Sequence, residues 1–375
     1  MLPRRSRLPS ELPVIRLGLV VNPIAGMGGR VGLHGTDGDM LADAVSLGAE
    51  PLAGKRVRRA LSRIEATIPE LSVLTVEGAM GADLLPETWT AELRSGGSVT
   101  NSDDTRTAVA WMTDRGVDLV LFGGGDGTAR DVARVVDSRV PILGVPCGVK
   151  MHSGVFATGP EAAGAAAARY LLDRGRVRVA EIVDAEARGV RLFGLASVPD
   201  VPEALQGVKS IGPATAVSAA DMAGLGRAVA AEFRPDRLYL LGPGTTVGQV
   251  GAALGLPVSL YGVDAVRDGK LLAADVSECE LLALIGRFPQ VTLVLGVIGG
   301  QGFLFGRGNQ QLSPAVLDAI GPENIEIIAA AGKIAALDPP VLRIDLDDRA
   351  IGDRLTGFRK IRTSRQRSTV LRVVA

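Results

Sequence analysis

The sequence predicts an α/β protein: an N-terminal doubly wound parallel sheet followed by a second, mixed α/β domain. Apolar runs of strand length alternate with stretches of helical spacing, which is the pattern of a parallel sheet with helices on both faces. Glycine-rich turns follow several of these runs. The chain has 375 residues, 47% of them hydrophobic, which is enough for two domains with sizeable cores.

The composition excludes several classes of partner. The net charge is zero and the pI is about 6.8, so no overall field favours nucleic acid or an anionic membrane. Aromatic residues make up only 3% of the chain, too few for a base-stacking platform. No uninterrupted apolar run reaches the roughly 18 residues of a membrane span. These observations predict no nucleic-acid partner and no membrane span. We also expect a small-molecule substrate and a homo-oligomer, which the composition does not itself determine.

The rare residue types exclude two kinds of site. Cys147 and Cys279 are the only cysteines and lie far apart, so no disulfide framework is expected. With two histidines in all, a zinc site is not expected either. Residues 1–13 are basic and contain proline but lack an apolar signal core, which predicts a flexible tail on a cytoplasmic protein.

The N-terminal half reads as alternating strands and helices. Helical spacing at residues 55–68 predicts a helix whose arginines lie on a solvated face. Asp103 and Asp104 are placed to cap a helix that runs through Ala108 and Met112. The predicted strands of this half are residues 17–21, 71–76, 117–122 and 140–145.

The C-terminal half begins with an alanine-rich helix at residues 160–174, the predicted bridge between two domains, and has a second helix at 219–233. Asp264 follows a predicted strand and is a candidate Mg²⁺ or ribose contact in a turn. The predicted strands are a hairpin at 177–183 and 190–197, then 239–241, 256–262, 291–298, 325–329 and 341–346. A final strand at 370–374 could pair back onto the N-terminal domain.

The stretch from 117 to 128 organises the chain. An apolar strand ends in Gly123, Gly124 and Gly125, and Asp126, Gly127 and Thr128 follow before a helical pattern begins. Glycines let backbone N–H groups approach an anion, and a helix N-terminus adds partial positive charge, so the turn suits phosphate. Asp126 would repel phosphate and fits better as a Mg²⁺ contact or a proton-accepting base. The alternative is a tight turn with Asp126 as helix N-cap.

A second small-residue loop follows the first strand. Asn22, Gly26 and Gly28 lie in this loop, and Pro23 prevents the strand from continuing into it. It is a candidate phosphate site, but it is not a Walker loop because no Gly-Lys-Ser/Thr sequence follows. An ordinary connecting loop is equally compatible with these residues.

A third loop, residues 146–157, contains Lys150. Only six of the 41 basic residues are lysines, so a lysine in a glycine-flanked turn is notable. An ammonium there can neutralise a transferring phosphoryl group, and the alternative is an exposed loop lysine. His152, two residues after Lys150, is a weaker candidate for a functional role. The simpler interpretation is a polar side chain whose hydrogen bonds are made within the protein.

Two further loops repeat the theme in the C-terminal half. Gly244, Thr245 and Thr246 follow a strand, where hydroxyls and free N–H groups suit phosphate or ribose oxygens. The alternative is that Thr245 is only a helix cap. The second loop, residues 299–314, is the most unusual polar cluster in the chain. Its amides can read a base edge or ribose hydroxyls and its arginine can bind phosphate. Its candidate contacts are Gln301, Arg307, Asn309 and Gln310.

These motifs resemble a known family. Residues 124–128, Gly-Gly-Asp-Gly-Thr, match the signature of the NAD kinase, diacylglycerol kinase and phosphofructokinase-like superfamily, and the loop at Asn22 is similar to its first loop. The amino-acid sequences of residues 144–153 and 299–314 resemble those of the acetoin-catabolism protein X-like branch of the ATP-NAD kinase family. The resemblance implies a nucleotide domain at 14–157, a substrate domain at 158–375 and a cleft between them.

The resemblance also implies a reaction, ATP-dependent phosphorylation of a ribose hydroxyl of NAD with Mg²⁺. Asp126 would be the base or metal anchor, and Lys150 would assist it. The glycine loop and the loop at Asn22 would hold phosphates. The 301–310 segment would recognise the nucleotide.

One departure from the family pattern keeps alternatives open. NAD kinases carry an Asn-Glu or Asn-Asp pair that helps to hold the dinucleotide, and this chain has neither. This absence leaves open an acceptor, or a phosphorylated hydroxyl, other than that of the housekeeping NAD kinases. The alternatives are a kinase for another hydroxyl acceptor, such as a lipid or small metabolite, and a catalytically silent nucleotide-binding regulator.

Overall fold

A computed structural model of the chain describes residues 15–33, 40–97, 100–149, 151–186, 189–207, 219–298 and 301–375. Its first sheet is parallel throughout, as predicted, with the strand order β3-β2-β1-β4-β5. The strands of this sheet are β1 (Arg16–Val21), β2 (Ser72–Val76), β3 (Thr90–Arg94), β4 (Leu119–Gly124) and β5 (Ile142–Pro146). The edge strand β3 is largely exposed, and the sequence analysis missed it.

Helices cover both faces of this sheet, which confirms the doubly wound prediction. The helices of this half are α1 (Met40–Ser46), α2 (Ala53–Glu65), α3 (Ser102–Asp114), α4 (Asp126–Val136) and α5 (Pro160–Asp173). A Cβ added at Gly18 of β1 would touch Met112 of α3, whereas one at Gly123 of β4 would touch Val57 of α2. Gly123 pairs with Val21, which lies three residues beyond Gly18 in β1. Because successive residues of a strand point to opposite faces, Gly18 and Gly123 lie on opposite faces of the sheet.

A hairpin of β6 (Val177–Glu186) and β7 (Gly189–Pro199) follows α5, as predicted, and packs against α4, α5 and β5. Ala180, Ala196 and Leu205 belong to the same hydrophobic core as the first sheet. That core therefore extends beyond residue 157, where the sequence analysis ended the first domain.

The second sheet is mixed and has nine strands in the order β10-β9-β8-β11-β13-β15-β16-β14-β12. Its strands are β8 (Leu238–Leu241), β9 (Asp264–Arg267), β10 (Lys270–Ala273), β11 (Val291–Gly296), β12 (Phe303–Phe305), β13 (Ile325–Ile328), β14 (Val341–Ile344), β15 (Gly357–Arg362) and β16 (Ser368–Val374). The accompanying helices are α6 (Ala219–Ala230), α7 (Thr245–Leu254), α8 (Glu278–Arg287), α9 (Pro314–Ile320), α10 (Ala331–Ala335) and α11 (Arg349–Leu355).

Two strand predictions in this half are wrong. Residues 256–262 form no strand, and Asp264 is not in a turn but is the first residue of β9. Its carboxylate is 1% exposed and accepts hydrogen bonds from the backbone N–H groups of Ser259 and Asp275 (the latter at 2.8 Å), so it ties the preceding segment to the sheet. The last strand, β16, pairs with β15 and β14 in the second sheet rather than with the N-terminal sheet.

Two details of helix chemistry also differ from the predictions. The N-cap of α3 is Asn101, whose side chain accepts from the N–H groups of Asp103 and Asp104, while Asp104 accepts in return from the N–H of Asn101. In α2, Arg56 is not on the solvated face but is 7% exposed. None of the helices in the described part of the chain is long and apolar enough to span a membrane.

Candidate functional site

The first sheet has a topological switch point between β1 and β4, because the strand order runs outward in opposite directions from these two neighbours. Open α/β sheets bind ligands at such a point, at the carboxyl ends of the strands. Here those ends carry the two loops that the sequence singled out, the loop that begins at Asn22 and the turn from Gly124 to Thr128. Neither the strand order nor the adjacency of β1 and β4 was visible in the sequence.

The turn presents three free backbone donors. Helix α4 begins at Asp126, and its first helical hydrogen bond runs from the N–H of Ala129 to Gly125 O, 3.0 Å away. Among the described residues, the N–H groups of Asp126, Gly127 and Thr128 find no hydrogen-bond acceptor. A Cβ added at Gly127 would have open space around it. The helix N-terminus is therefore open to an anion.

Two glycines allow the loops to pack this closely. A Cβ at Gly148 would lie 2.7 Å from the Cα of Gly125, so at this point the third loop and the turn approach each other backbone to backbone. At Gly26 the φ angle is +80°, and a Cβ would lie 2.1 Å from the carbonyl oxygen of Cys147. Both positions require glycine, which explains why the loops are rich in that residue.

Hydrogen bonds join the three loops. The N–H groups of Cys147 and Gly148 donate to Gly124 O at 3.0 and 3.1 Å. The backbone N–H of Asn22 donates to Gly123 O at 2.9 Å, and its side-chain amide donates to Thr128 Oγ1 at 3.4 Å. The loop that contains Gly26 and the buried Gly28 is thus attached to the turn, as the sequence analysis expected of a shared site.

The carboxylate of Asp126 is 5% exposed and accepts from two neighbouring residues. Oδ1 lies 3.0 Å from the backbone N–H and 2.6 Å from the hydroxyl of Ser153. Oδ2 accepts from the backbone N–H of His152 at 2.8 Å and lies 3.1 Å from its ring Nδ1. The N-cap of α4 is Gly125, so the alternative reading of Asp126 as helix cap is wrong.

The sequence analysis missed Ser153 and underrated His152. Ser153 is fully buried, and its hydroxyl also lies 2.9 Å from Val183 O and accepts from Val183 N–H at 3.1 Å. The His152 ring is 13% exposed, and within the described part of the chain Nε2 has no hydrogen-bond partner. No sequence signal marks either residue as a partner of Asp126, since 26 and 27 positions separate them from it.

The polar segment of the second sheet meets the third loop rather than open solvent. Gln301 Nε2 donates to Met151 O at 3.0 Å, and Gln310 Nε2 donates to Val149 O at 3.1 Å. The backbone N–H of Gly308 donates to the same Val149 oxygen at 3.0 Å. These side-chain amides therefore fix the loop that carries His152 and Ser153.

Two other residues of this segment are engaged with protein atoms. Arg307 is 3% exposed, and its guanidinium donates to Asp345 Oδ2, Gln206 Oε1 and the backbone oxygens of Ala157 and Thr158. With these bonds made, binding of phosphate by Arg307 would require them to be exchanged. The Asn309 amide group is used locally, donating to Leu304 O at 2.7 Å and accepting from Gly306 N–H at 3.0 Å.

A buried ion cluster joins the two sheets behind the site. Asp345, after β14, lies between Arg307 and Arg56 of α2, with Arg56 Nη2 2.6 Å and Arg307 Nε 2.8 Å from its oxygens. Burial raises the pKa of the Asp345 carboxyl, but the two guanidinium charges together outweigh burial and hold that pKa below its usual value. Arg56 occupies a position on the buried face of α2, which its helical spacing with Val57 and Ala60 could have revealed.

The cysteine beside this cluster is inert. Burial raises the pKa of the Cys147 thiol to about 12, and the nearby Arg56 charge only partly offsets that effect. The thiol is thus protonated at neutral pH and is no nucleophile.

The remaining candidate residues lie elsewhere or outside the described residues. Gly244, with φ +115°, is the N-cap of α7, so Thr245 is the first helical residue and not the cap. Thr246 is 2% exposed and accepts from Lys333 Nζ of α10 at 3.2 Å. Lys150 lies outside the described residues, as do Gly299 and Gly300 of the polar segment.

Comparison with known proteins agrees with this architecture. The family model described as the ATP-NAD kinase N-terminal domain matches residues 17–175, which contain the three loops and all of the parallel sheet except Arg16. The model described as the ATP-NAD kinase C-terminal domain matches residues 234–373, which contain all of the nine-stranded sheet except Val374. No curated protein matches the chain. Its two sheets, its glycine turn and the two domain matches in this order show that the chain belongs to the ATP-NAD kinase family.

Proposed function

We propose that the protein transfers the γ-phosphoryl group of ATP to a ribose hydroxyl of NAD. The observation that supports this most is the turn at the switch point, where three N–H groups have no acceptor among the described residues and lie beside a buried carboxylate, with open space at the Cβ position of Gly127. Such donors stabilise the charge of a phosphoryl group during transfer without having to reorganise. The family match is the reason to name ATP and NAD as the two substrates.

The residue roles follow from their positions. Gly124, Gly125, Gly127 and Thr128 are proposed to hold phosphate through the turn and its N–H groups, and the loop with Asn22, Gly26 and Gly28 to line the same site. Lys150 is proposed to supply positive charge to the phosphoryl group, because it belongs to the loop that contacts Asp126. Gly244, Thr245 and Thr246 are proposed as contacts for phosphate or ribose at the start of α7.

The 301–310 segment acts indirectly in this proposal. Gln301 and Gln310 hold the third loop, Arg307 is bound to Asp345, and Asn309 braces its own turn. Their expected contribution is therefore the shape of the nucleotide pocket rather than direct hydrogen bonds to the base. A direct contact would need one of these protein–protein bonds to open when substrate binds.

A protein site for Mg²⁺ does not fit the residues present. The described part of the chain holds no group of three or more His, Cys, Asp or Glu side chains placed to bind a metal ion. The Asp126 oxygens, the metal ligands that the resemblance implied, already accept four hydrogen bonds. We therefore assign no step to a protein-bound metal and treat Mg²⁺ as part of the nucleotide added in the assay.

The test incubates the purified protein with ATP, Mg²⁺ and NAD and reads the products by mass and with a dehydrogenase that accepts only the 2′-phosphorylated dinucleotide. The proposal expects a mass gain of one phosphate on NAD. A gain that the dehydrogenase rejects places the phosphate on another hydroxyl, which the missing Asn-Glu or Asn-Asp pair would allow. No gain on NAD, with transfer to another hydroxyl compound, would contradict NAD as acceptor, and no transfer at all would indicate a silent nucleotide-binding protein.

Replacing Gly127 with alanine should separate nucleotide binding from stability. The added methyl group meets no protein atom within 4 Å, and alanine is favoured over glycine in a helix by up to about 1 kcal/mol. We expect an unchanged or higher melting temperature but about tenfold weaker ATP binding, because the methyl group stands among the free N–H groups. Calorimetry and thermal unfolding measure the two effects. Gly286→Ala in α8, also open around its Cβ, is the control and should leave ATP affinity unchanged.

A further inference from the structure

We propose that His152 Nε2, and not Asp126, accepts the proton of the acceptor hydroxyl, with Asp126 as the group that positions the imidazole. This inference rests on the proposed function, because it assigns the base of that same transfer. It reverses the simplest reading of the motif, in which the carboxylate of the glycine turn is itself the base.

The first argument is the state of the Asp126 carboxylate. An ionised carboxylate has two oxygens and about four lone-pair positions. Four contacts from His152 and Ser153 occupy them, at distances between 2.6 and 3.1 Å. The carboxylate is also 5% exposed, so little of its surface is left for a substrate hydroxyl. To act as base, Asp126 would first have to lose bonds that hold the third loop in place.

The second argument is the tautomer of the ring. An oxygen of an ionised carboxylate can only accept, so with Asp126 ionised the Nδ1 contact at 3.1 Å requires a proton on Nδ1. The neutral imidazole then carries its lone pair on Nε2, which has no partner among the described residues. A carboxylate that fixes one ring nitrogen in this way orients the ring and stabilises the imidazolium that forms when the other nitrogen takes a proton.

The third argument is the rigidity and place of the ring. Oδ2 of Asp126 accepts a hydrogen bond from the backbone N–H of His152 and contacts its ring Nδ1. This one oxygen therefore holds both the backbone and the ring of His152. The side chain is 13% exposed, buried enough to be held and open enough to be reached. Asp126 is the first residue of α4, so a ring that contacts its side chain lies beside the helix N-terminus that carries the unbonded N–H groups. Among the described residues, Asp126 is the ionisable group in contact with the ring.

The chemical step balances without any further reactant. The acceptor oxygen attacks the γ-phosphorus of ATP and forms a new O–P bond while its proton passes to Nε2. The bond between the γ-phosphorus and the bridging oxygen breaks, and ADP leaves with that electron pair. The imidazolium beside Asp126 then returns its proton to solvent.

The kinetic test replaces the ring and then restores it. His152→Asn keeps an amide N–H able to reach Asp126 Oδ2 but has no base at the Nε2 position, and should lower kcat by 10²–10⁴-fold, the usual range for loss of general-base catalysis, with ATP affinity little changed. In His152→Gly, added imidazoles should restore turnover, and the rescued rate should rise with the basicity of the imidazole used. The matched control is His34→Gln, the only other histidine, which should retain wild-type kcat.

A second test reads the ring directly and does not need turnover. In protein that carries His34→Gln and ¹⁵N-labelled histidine, His152 gives the only imidazole signals. For the neutral ring, their nitrogen shifts should show a protonated Nδ1 and an unprotonated Nε2. Diethylpyrocarbonate, which attacks an unprotonated ring nitrogen, should modify His152, and ATP with Mg²⁺ should protect it.

The outcomes separate this inference from the proposed function. If the wild type transfers phosphate and His152→Asn stays within about threefold of its kcat, the base assignment is wrong while the proposed function stands. A proton found on Nε2 instead of Nδ1 would also overturn it. If the wild type transfers phosphate to no hydroxyl compound, the proposed function fails and the base assignment fails with it.

Discussion

Asp345→Ala is expected to lower the free energy of unfolding by about 3–5 kcal/mol, the largest effect on stability that the structure predicts. Removal of this carboxylate leaves Arg56 and Arg307 with two positive charges buried in the same region and deprived of their shared partner. Arg56 keeps Asp347 at 2.7 Å, so the loss falls most heavily on Arg307. Urea unfolding of the wild type and the variant measures the difference.

The control is a comparable ion pair at the surface. Asp318 pairs with Arg354, but both side chains are about half exposed. Solvent-exposed ion pairs contribute about 0–1 kcal/mol, so Asp318→Ala should lower the free energy of unfolding by no more than about 1 kcal/mol. If the two variants are equally stable, the buried cluster does not hold the two sheets together as we infer. If Asp345→Ala leaves the free energy of unfolding unchanged, our explanation for why Arg307 is unavailable to phosphate is also wrong.

The same carboxylate predicts how stability depends on acid. The folded-state pKa of Asp345 is held below its unfolded value, which is near 3.9 for an aspartate, because Arg56 and Arg307 favour the charged form. Its contribution to stability is therefore fully present above that unfolded value and is lost as the pH falls through the lower folded value. Unfolding measured between about pH 2 and 6 should show a shallower loss of stability in Asp345→Asn than in the wild type over this acidic window.

Asp126→Asn is expected to lower kcat/KM by about 10²–10⁴-fold, an effect as large as that of His152→Asn, because the imidazole loses the group that positions it. Each oxygen of Asp126 faces donors, so an asparagine amide must place its NH₂ group against either Ser153 or His152. A donor that faces a buried donor costs about 1–3 kcal/mol, and the third loop should shift away from the turn. Reduced activity should therefore come with a lower melting temperature, and kinetics and thermal unfolding can be read on the same samples.

The matched control lies at the other end of the same helix. Asp137 is the C-cap of α4, with φ +44°, a conformation that asparagine adopts as readily as aspartate. Asp137→Asn makes the same chemical change without touching the site and should leave both activity and stability close to the wild type. Equal loss in the two variants would mean that the effect of Asp126→Asn comes from the charge of the helix rather than from the contacts of its carboxylate.

Local features of the fold were predicted well from the sequence because they depend on neighbours in the chain. The parallel sheet and the hairpin of β6 and β7 follow from the apolar period and the turn residues. The failures come from short segments with weak patterns. Residues 256–262 are apolar enough for a strand, yet the buried Asp264 carboxylate holds this segment in an irregular path through Ser259 N–H.

The sequence alone therefore determined the fold class, the glycine turn around Asp126 and the family resemblance, since these are written in short, contiguous motifs. Only the tertiary structure decided the switch point between β1 and β4, the pairing of Asp126 with His152, and the use of Arg307 to bind Asp345 rather than phosphate. Each of these features joins residues that lie 26 or more positions apart in the sequence. Buried polar atoms need hydrogen-bond partners, so polar side chains that the sequence offers as ligand contacts are bonded to protein atoms in the folded chain.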